Sequence, residues 1–149
     1  MNDEDQVAEN EVIEDVLDDE EVPSILDDMD DDEELFPGGP TAAQARAWKE
    51  EYGKVISITI GVDEIILFRP LTRDEYRNQV LTMERVNAQN NLSAAQATLR
   101  NEEILASIVM LYPEYNPMTD GDKLAGVPTI VSDYVMAASG FNAIAVQEL

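Results

Sequence analysis

The chain has no cysteine and no histidine. The first absence excludes disulfides and thiolate metal sites, and it fits a reducing compartment. The second removes the commonest general base and the commonest metal ligand. Together they eliminate every Ser-His and Cys-His nucleophile pair and leave carboxylate-only chemistry as the open route to catalysis. Basic residues are scarce: nine Lys and Arg stand against 32 Asp and Glu, for a net charge of -23. That balance disfavours nucleic acid phosphates and anionic membranes as partners. No apolar run approaches the ~18 residues that span a bilayer. The longest, residues 104–112, is interrupted by Ser107. The first ten residues are acidic and lack the apolar segment of an export signal. The expectation is a soluble, cytoplasmic protein with no cofactor and no metal, and not an enzyme.

What is present is unevenly spread. Residues 1–36 hold eighteen Asp and Glu and no Lys or Arg, whereas residues 37–149 hold fourteen acidic and nine basic residues. A segment so charged and so poor in apolar groups cannot collapse on itself, which predicts a disordered acidic arm. Two apolar islands lie in it: Val12, Ile13, Val16 and Leu17 at helical spacing, and Val22, Ile25 and Leu26. The first suits a short recognition helix that folds on a partner; incidental hydrophobes in a disordered arm are the simpler reading. Pro37-Gly38-Gly39-Pro40 reads as a hinge. The division is therefore an acidic arm and hinge at 1–40, a folded domain at 41–141 and a flexible tail at 142–149.

Within the domain, Thr41, with Gln44 as its capping-box partner, caps a helix over 42–52, with Gly53 as its left-handed stop. Ile56, Ile58 and Ile60 alternate with Ser57 and Thr59, the period of a half-buried strand. A turn at 61–64 leads to a second strand over 65–69, forming a hairpin. Thr72 with Glu75 and Ser93 with Gln96 are capping boxes for two further helices. The apolar face of the first is Tyr76, Val80, Met83 and Val86 or Asn87. The second continues through Leu99, Ile104 or Glu103, Ile108 and Leu111 to Pro113. A loop over 113–126 precedes a last helix opened by Pro128, with Ile130, Val131, Tyr134, Val135 and Ala138 on one face. Gly140 and Phe141 close it in a Schellman motif. The fold class is α+β: a mainly helical small domain with one β-hairpin, behind a disordered acidic N-terminal arm.

Candidate chemistry is sparse. Asn116, Asp120 and Asp122 have the look of calcium ligands, but Met118 and Val127 stand where oxygen donors belong. Glu102 and Glu103, like Glu50 and Glu51, point about 100° apart on their helices and fail as acid and base pairs. Arg69, Arg73 and Arg77 form a basic group suited to an anion; pairing with Asp74, Glu75 or the acidic arm accounts for them more simply. Trp48, Tyr52, Tyr76, Tyr112 and Tyr115 read as core or interface aromatics. Met83, Met110, Met118 and Met136 offer an adaptable surface where exposed, although methionine more often fills a core.

The run Phe68-Arg69-Pro70-Leu71-Thr72-Arg73-Asp74-Glu75-Tyr76 after a hairpin, a helix ending near Met110-Leu111-Tyr112-Pro113, then Leu124-Ala125-Gly126-Val127-Pro128, a helix and Ala138-Ser139-Gly140-Phe141, resembles the tail assembly chaperones of tailed bacteriophages. The resemblance covers roughly 54–141 and leaves out the arm. It implies a non-enzymatic protein that coats the helical tape-measure protein, keeps it soluble in the host cytoplasm, and yields to tail tube subunits as they polymerise. It also implies that a longer, frameshifted product can accompany the chain. Two other readings stay open: a structural virion component of the tail, baseplate or neck, and an acidic nucleic-acid mimic that blocks a host protein. The residues expected to meet a partner are Phe68, Arg69, Arg73 and Tyr76 at the strand-to-helix junction, Tyr112, Tyr115 and Met118 around the long loop, and Tyr134 and Phe141 at the last helix. Self-association is a further expectation.

Overall fold

The computed structural model of the chain describes residues 24–142 and 145–149. Its elements are α1 (Ala42–Tyr52), β1 (Ile56–Ile60), β2 (Glu64–Phe68), α2 (Arg73–Asn90), α3 (Ala94–Val109), β3 (Met110–Tyr112) and α4 (Val127–Ala138). The architecture is α+β and mainly helical. The strands form one antiparallel sheet in the order β1-β2-β3. No helix among the described residues is long and apolar enough to cross a membrane.

Local signals place most boundaries. Thr41 Oγ1 accepts the Gln44 amide but the Gln44 side chain makes no return bond, so the expected box is half formed, and Gly53 ends α1 in the left-handed region. Thr72 and Glu75 close a reciprocal capping box on α2, and Ser93 and Gln96 close another on α3. At the end of α4, Gly140 sits at φ +86°. Its N–H bonds to the Ala137 carbonyl and the Phe141 N–H to the Met136 carbonyl, the paired bonds of a Schellman motif.

The core lies between the sheet and the last two helices. Ile66 and Phe68 of β2, Leu105, Ala106 and Val109 of α3, and Val127, Val131 and Val135 of α4 are buried together with Leu71 and Met110. Leu67, on the opposite face by the strand period of two, is buried outside that cluster. β2 is thus covered on both faces, as a central strand should be.

Three expectations change. The hairpin pairs as expected, Ile56 against Phe68 through Ile60 against Glu64, but a third strand joins it. The helix expected to reach Pro113 stops at Val109. The Val109 carbonyl would need the N–H of residue 113, and proline has none. That carbonyl instead accepts the Arg69 amide at 3.1 Å, and Met110–Tyr112 pair with β2. Helix phases also shift. Gln79 is buried in α2 while Val80 is exposed, and α3 buries Leu105 and Ala106 while Leu99 stays 59% exposed.

The largest difference is at the N-terminal side. Residues 1–23, including the first apolar island and Val22, lie outside the described residues. Residues 24–40 were expected to belong to the arm and hinge, yet they fold against α1. Ser24 caps a single 3-10 turn, Ile25–Asp28. The first amides of a helix have no partner within it. Here the Ala42 amide donates to the Glu33 carbonyl at 2.8 Å and the Ala43 amide to the Asp31 carbonyl at 3.1 Å. The acidic run therefore lies against the positive end of α1, where negative charge is stabilising. The Arg46 guanidinium donates to the Asp31 carboxylate and to the carbonyls of Leu26 and Met29. The supposed hinge is a tight turn. Gly38 takes φ +76° after Pro37, and the Gly39 amide closes on the Phe36 carbonyl at 2.8 Å. A Cβ at Gly39 would meet the Phe36 ring at 2.5 Å. At the other end of the chain, residues 145–149 are exposed and carry no helix or strand.

Candidate functional site

The N-terminal unit, residues 24–53, docks on the β3 side of the sheet. The Tyr112 hydroxyl donates to the Gly38 carbonyl at 2.7 Å, and the Phe36 and Tyr112 rings meet edge-on with centroids 5.6 Å apart. Further along, the Arg69 guanidinium stacks over the Tyr52 ring at 4.4 Å. An open groove of about 1120 Å³ runs between these two contacts. One wall is the α1 face of Gln44, Trp48 and Tyr52. The other is the end of α3 and β3, with Ile108, Leu111 and Tyr112, and the start of the loop, with Pro113, Tyr115 and Pro117. The lining mixes rings with hydroxyl, amide and guanidinium tips, so it can take an apolar ridge and hydrogen-bond the edges of the same ligand.

The arginine that lines the groove is neutralised within the fold. Arg69 is only 11% exposed and spends its charge on Glu75, with contacts of 2.7 and 3.0 Å. The hydrogen-bonded Arg69 guanidinium, with the Thr72 cap, holds the Glu75 carboxyl below the ordinary value of 4.5. Burial, together with the carboxylates of Glu103 and Asp120, pushes the Tyr115 hydroxyl up from its ordinary value of 10.0. Tyr115 is therefore a donor at neutral pH. Glu114 on the rim is exposed and makes no ion pair among the described residues.

The structure separates the residues expected to meet a partner. Arg69, Tyr112 and Tyr115 line the groove. Phe68 does not belong in that group. It is fully buried in the core, because the inward register of β2 points it at α3 and α4. Arg73, Tyr76 and Phe141 form a second small cavity of about 180 Å³, where the Phe141 and Tyr76 rings meet at 4.8 Å. Phe141 thus ties the end of α4 to the start of α2. Tyr134 is 56% exposed beside β1, and Met118 is 84% exposed at a loop turn. Met83 and Met110 are buried, so the adaptable methionine surface reduces to Met118 and part of Met136.

Two other candidate groups find structural roles. Asp120 accepts the Asn116 amide at 2.7 Å and Asn116 accepts the Met118 amide at 3.0 Å, so these side chains shape the loop. Arg77 pairs with Asp74 at 3.1 Å and Arg69 with Glu75, which uses two of the three arginines internally. Arg73 lies over the Tyr76 ring at 5.6 Å.

Sequence reasoning picked out Trp48 and Tyr52 as aromatics without joining them to the loop. It missed Ile108, Leu111 and the two prolines as groove residues. The available signal was Pro113, which forces the α3-to-β3 corner that turns Leu111 and Tyr112 toward α1. No family model matches the chain, and no curated protein or solved structure matches it.

Proposed function

We propose that this chain is a non-enzymatic binding protein that holds an amphipathic helix of a client in the groove between α1 and the α3–β3 corner. The client we assign is the tape-measure protein of a tailed bacteriophage, kept soluble in the host cytoplasm until tail tube subunits polymerise around it. The observation that carries the binding role is the groove itself. Its volume of about 1120 Å³ exceeds the ~300–1,000 Å³ of small-molecule sites, and it is open along its length. Aromatic and proline walls suit the recognition of a helix by anchors at helical spacing. The phage assignment rests on the Phe68-to-Tyr76 and Leu124-to-Phe141 resemblance described above. A net charge of -23 would keep a complex with a long apolar client in solution.

The test is a tagged pull-down from phage-producing cells, with mass spectrometry of the eluate and of purified particles. The expected result is a long helical tape-measure protein in the eluate and no copy of this chain in the particles. Recovery at fixed copy number in particles would replace the chaperone with a structural virion component. A host DNA- or RNA-binding protein as the main partner would replace it with a nucleic-acid mimic.

A further inference from the structure

The sheet ends on one side at β1. β1 is an edge strand, and among the described residues Ile56–Ile60 hydrogen-bond only across to β2. Its sequence, Ile-Ser-Ile-Thr-Ile, has no charge, no proline and no bulge. Those are the devices by which edge strands avoid pairing with another chain. Beside it lies a groove of about 430 Å³ lined by Ile58, Ile60, Ile130 and Tyr134. This groove is separate from the one assigned to the client and shares no residue with it.

The geometry points to a second copy of this chain as the occupant, paired antiparallel through β1 about a two-fold axis at Ile58. Cross-strand residues share a face of the sheet. An antiparallel pair centred on Ile58 sets Ile56 against Ile60 of the other copy, Ile58 against Ile58, and Ser57 against Thr59. Every isoleucine then meets an isoleucine on the half-buried face, and every hydroxyl meets a hydroxyl on the exposed face. A shift of one residue would set isoleucine against serine or threonine throughout. Charge favours the same arrangement. The segment 53–69 carries Lys54, Asp63, Glu64 and Arg69, a net of zero in a chain of -23. The pairing brings exposed Lys54 of each copy beside the turn that holds exposed Asp63 of the other. Six strands would form one continuous sheet, and the Ile130 and Tyr134 faces would approach across the seam.

The register makes the test specific. Ser57 and Thr59 are exposed, so substitutions there spare the core. Ser57→Lys with Thr59→Lys sets lysine directly against lysine at two symmetry-related places. Ser57→Lys with Thr59→Glu sets lysine against glutamate at both. Sedimentation equilibrium of the full chain should give a reversible monomer–dimer equilibrium. The double-lysine variant should weaken it about 10-fold or more, and the lysine–glutamate variant should restore it. Circular dichroism should be the same in all three, and so should melting at concentrations low enough that each is monomeric. A wild-type chain that stays monomeric at all concentrations overturns the proposal. A double-lysine variant that dimerises like wild type overturns it too. A lysine–glutamate variant as weak as the double-lysine variant overturns the register.

Discussion

The N-terminal unit and the core are held together by different physics. The core, built from β2, α3 and α4, buries a contiguous set of large apolar side chains around Phe68 and Val131. Residues 24–53 bury only small groups, Pro40, Ala42 and Ala45. Their order comes from hydrogen bonds: the acidic segment's carbonyls on the first amides of α1, and Arg46 on three oxygens. Elements with few buried apolar contacts open locally at lower free energy than the core. The candidate groove lies on the seam between the two regions. One wall belongs to the buried core and the other to the hydrogen-bonded unit, so under the proposed function the α1 wall is the one that would adjust to a client.

The sharpest break of this comparison is Phe68→Ala. It should cost ~3–5 kcal/mol, because the ring is fully buried among residues from three elements. A urea midpoint that moves only slightly would mean the core has been misplaced. Arg69→Ala acts at the seam and should cost ~1–3 kcal/mol, since it leaves Glu75 without its charged partner. Its pH signature has a definite sign. The Glu75 carboxyl titrates below 4.5 when folded, so its contribution is present above the unfolded value and disappears as pH falls through the folded one. Wild type should therefore lose stability below about pH 4.5 more steeply than Arg69→Ala. Parallel acid titrations would remove the pair from the account.

Gly140→Val should cost ~1–2 kcal/mol through backbone strain at positive φ. An added Cβ there meets nothing within 4 Å, so an unchanged melting midpoint would refute the Schellman assignment. Arg46→Ala should lower global stability by less than ~1 kcal/mol, as befits an exposed pair. It should nonetheless speed hydrogen exchange at the Ala42 and Ala43 amides. Deletion of residues 1–35 should leave the core's melting within ~0.5 kcal/mol of the full chain, since no core residue is removed. A large loss of cooperativity would show that the two regions fold as one.

The contrast also explains what the sequence made legible. Caps are local chemistry, and Thr41, Thr72 with Glu75, Ser93 with Gln96, and Gly140 all act where their spacing indicated. The alternation at 56–60 correctly marked a half-buried strand. Non-local choices were hidden. β3 has only three residues and continues a helical pattern, so Pro113 and a long-range pairing with β2 decided it together. The acidic segment looked unfoldable by composition, but its backbone carbonyls, with the Asp31 carboxylate beside them, meet α1. Helix phase failed where a polar residue took the buried place: Gln79 pairs with Asn101 at 2.6 Å, and Val80 faces out. The groove draws on α1, α3, β3 and the loop, and no short motif could announce it.

Under the proposed function, a client helix binds at the seam between α1 and the α3–β3 corner. Trp48 is the chain's one tryptophan and lies in that groove, so its fluorescence reports on the site alone. Titrating the full chain with helical peptides tiled across a tape-measure protein should shift Trp48 emission to the blue for a subset of them. Tyr115→Ala should weaken the same binding. Binding of those peptides by calorimetry with no change in Trp48 emission, and no effect of Tyr115→Ala, would contradict the account.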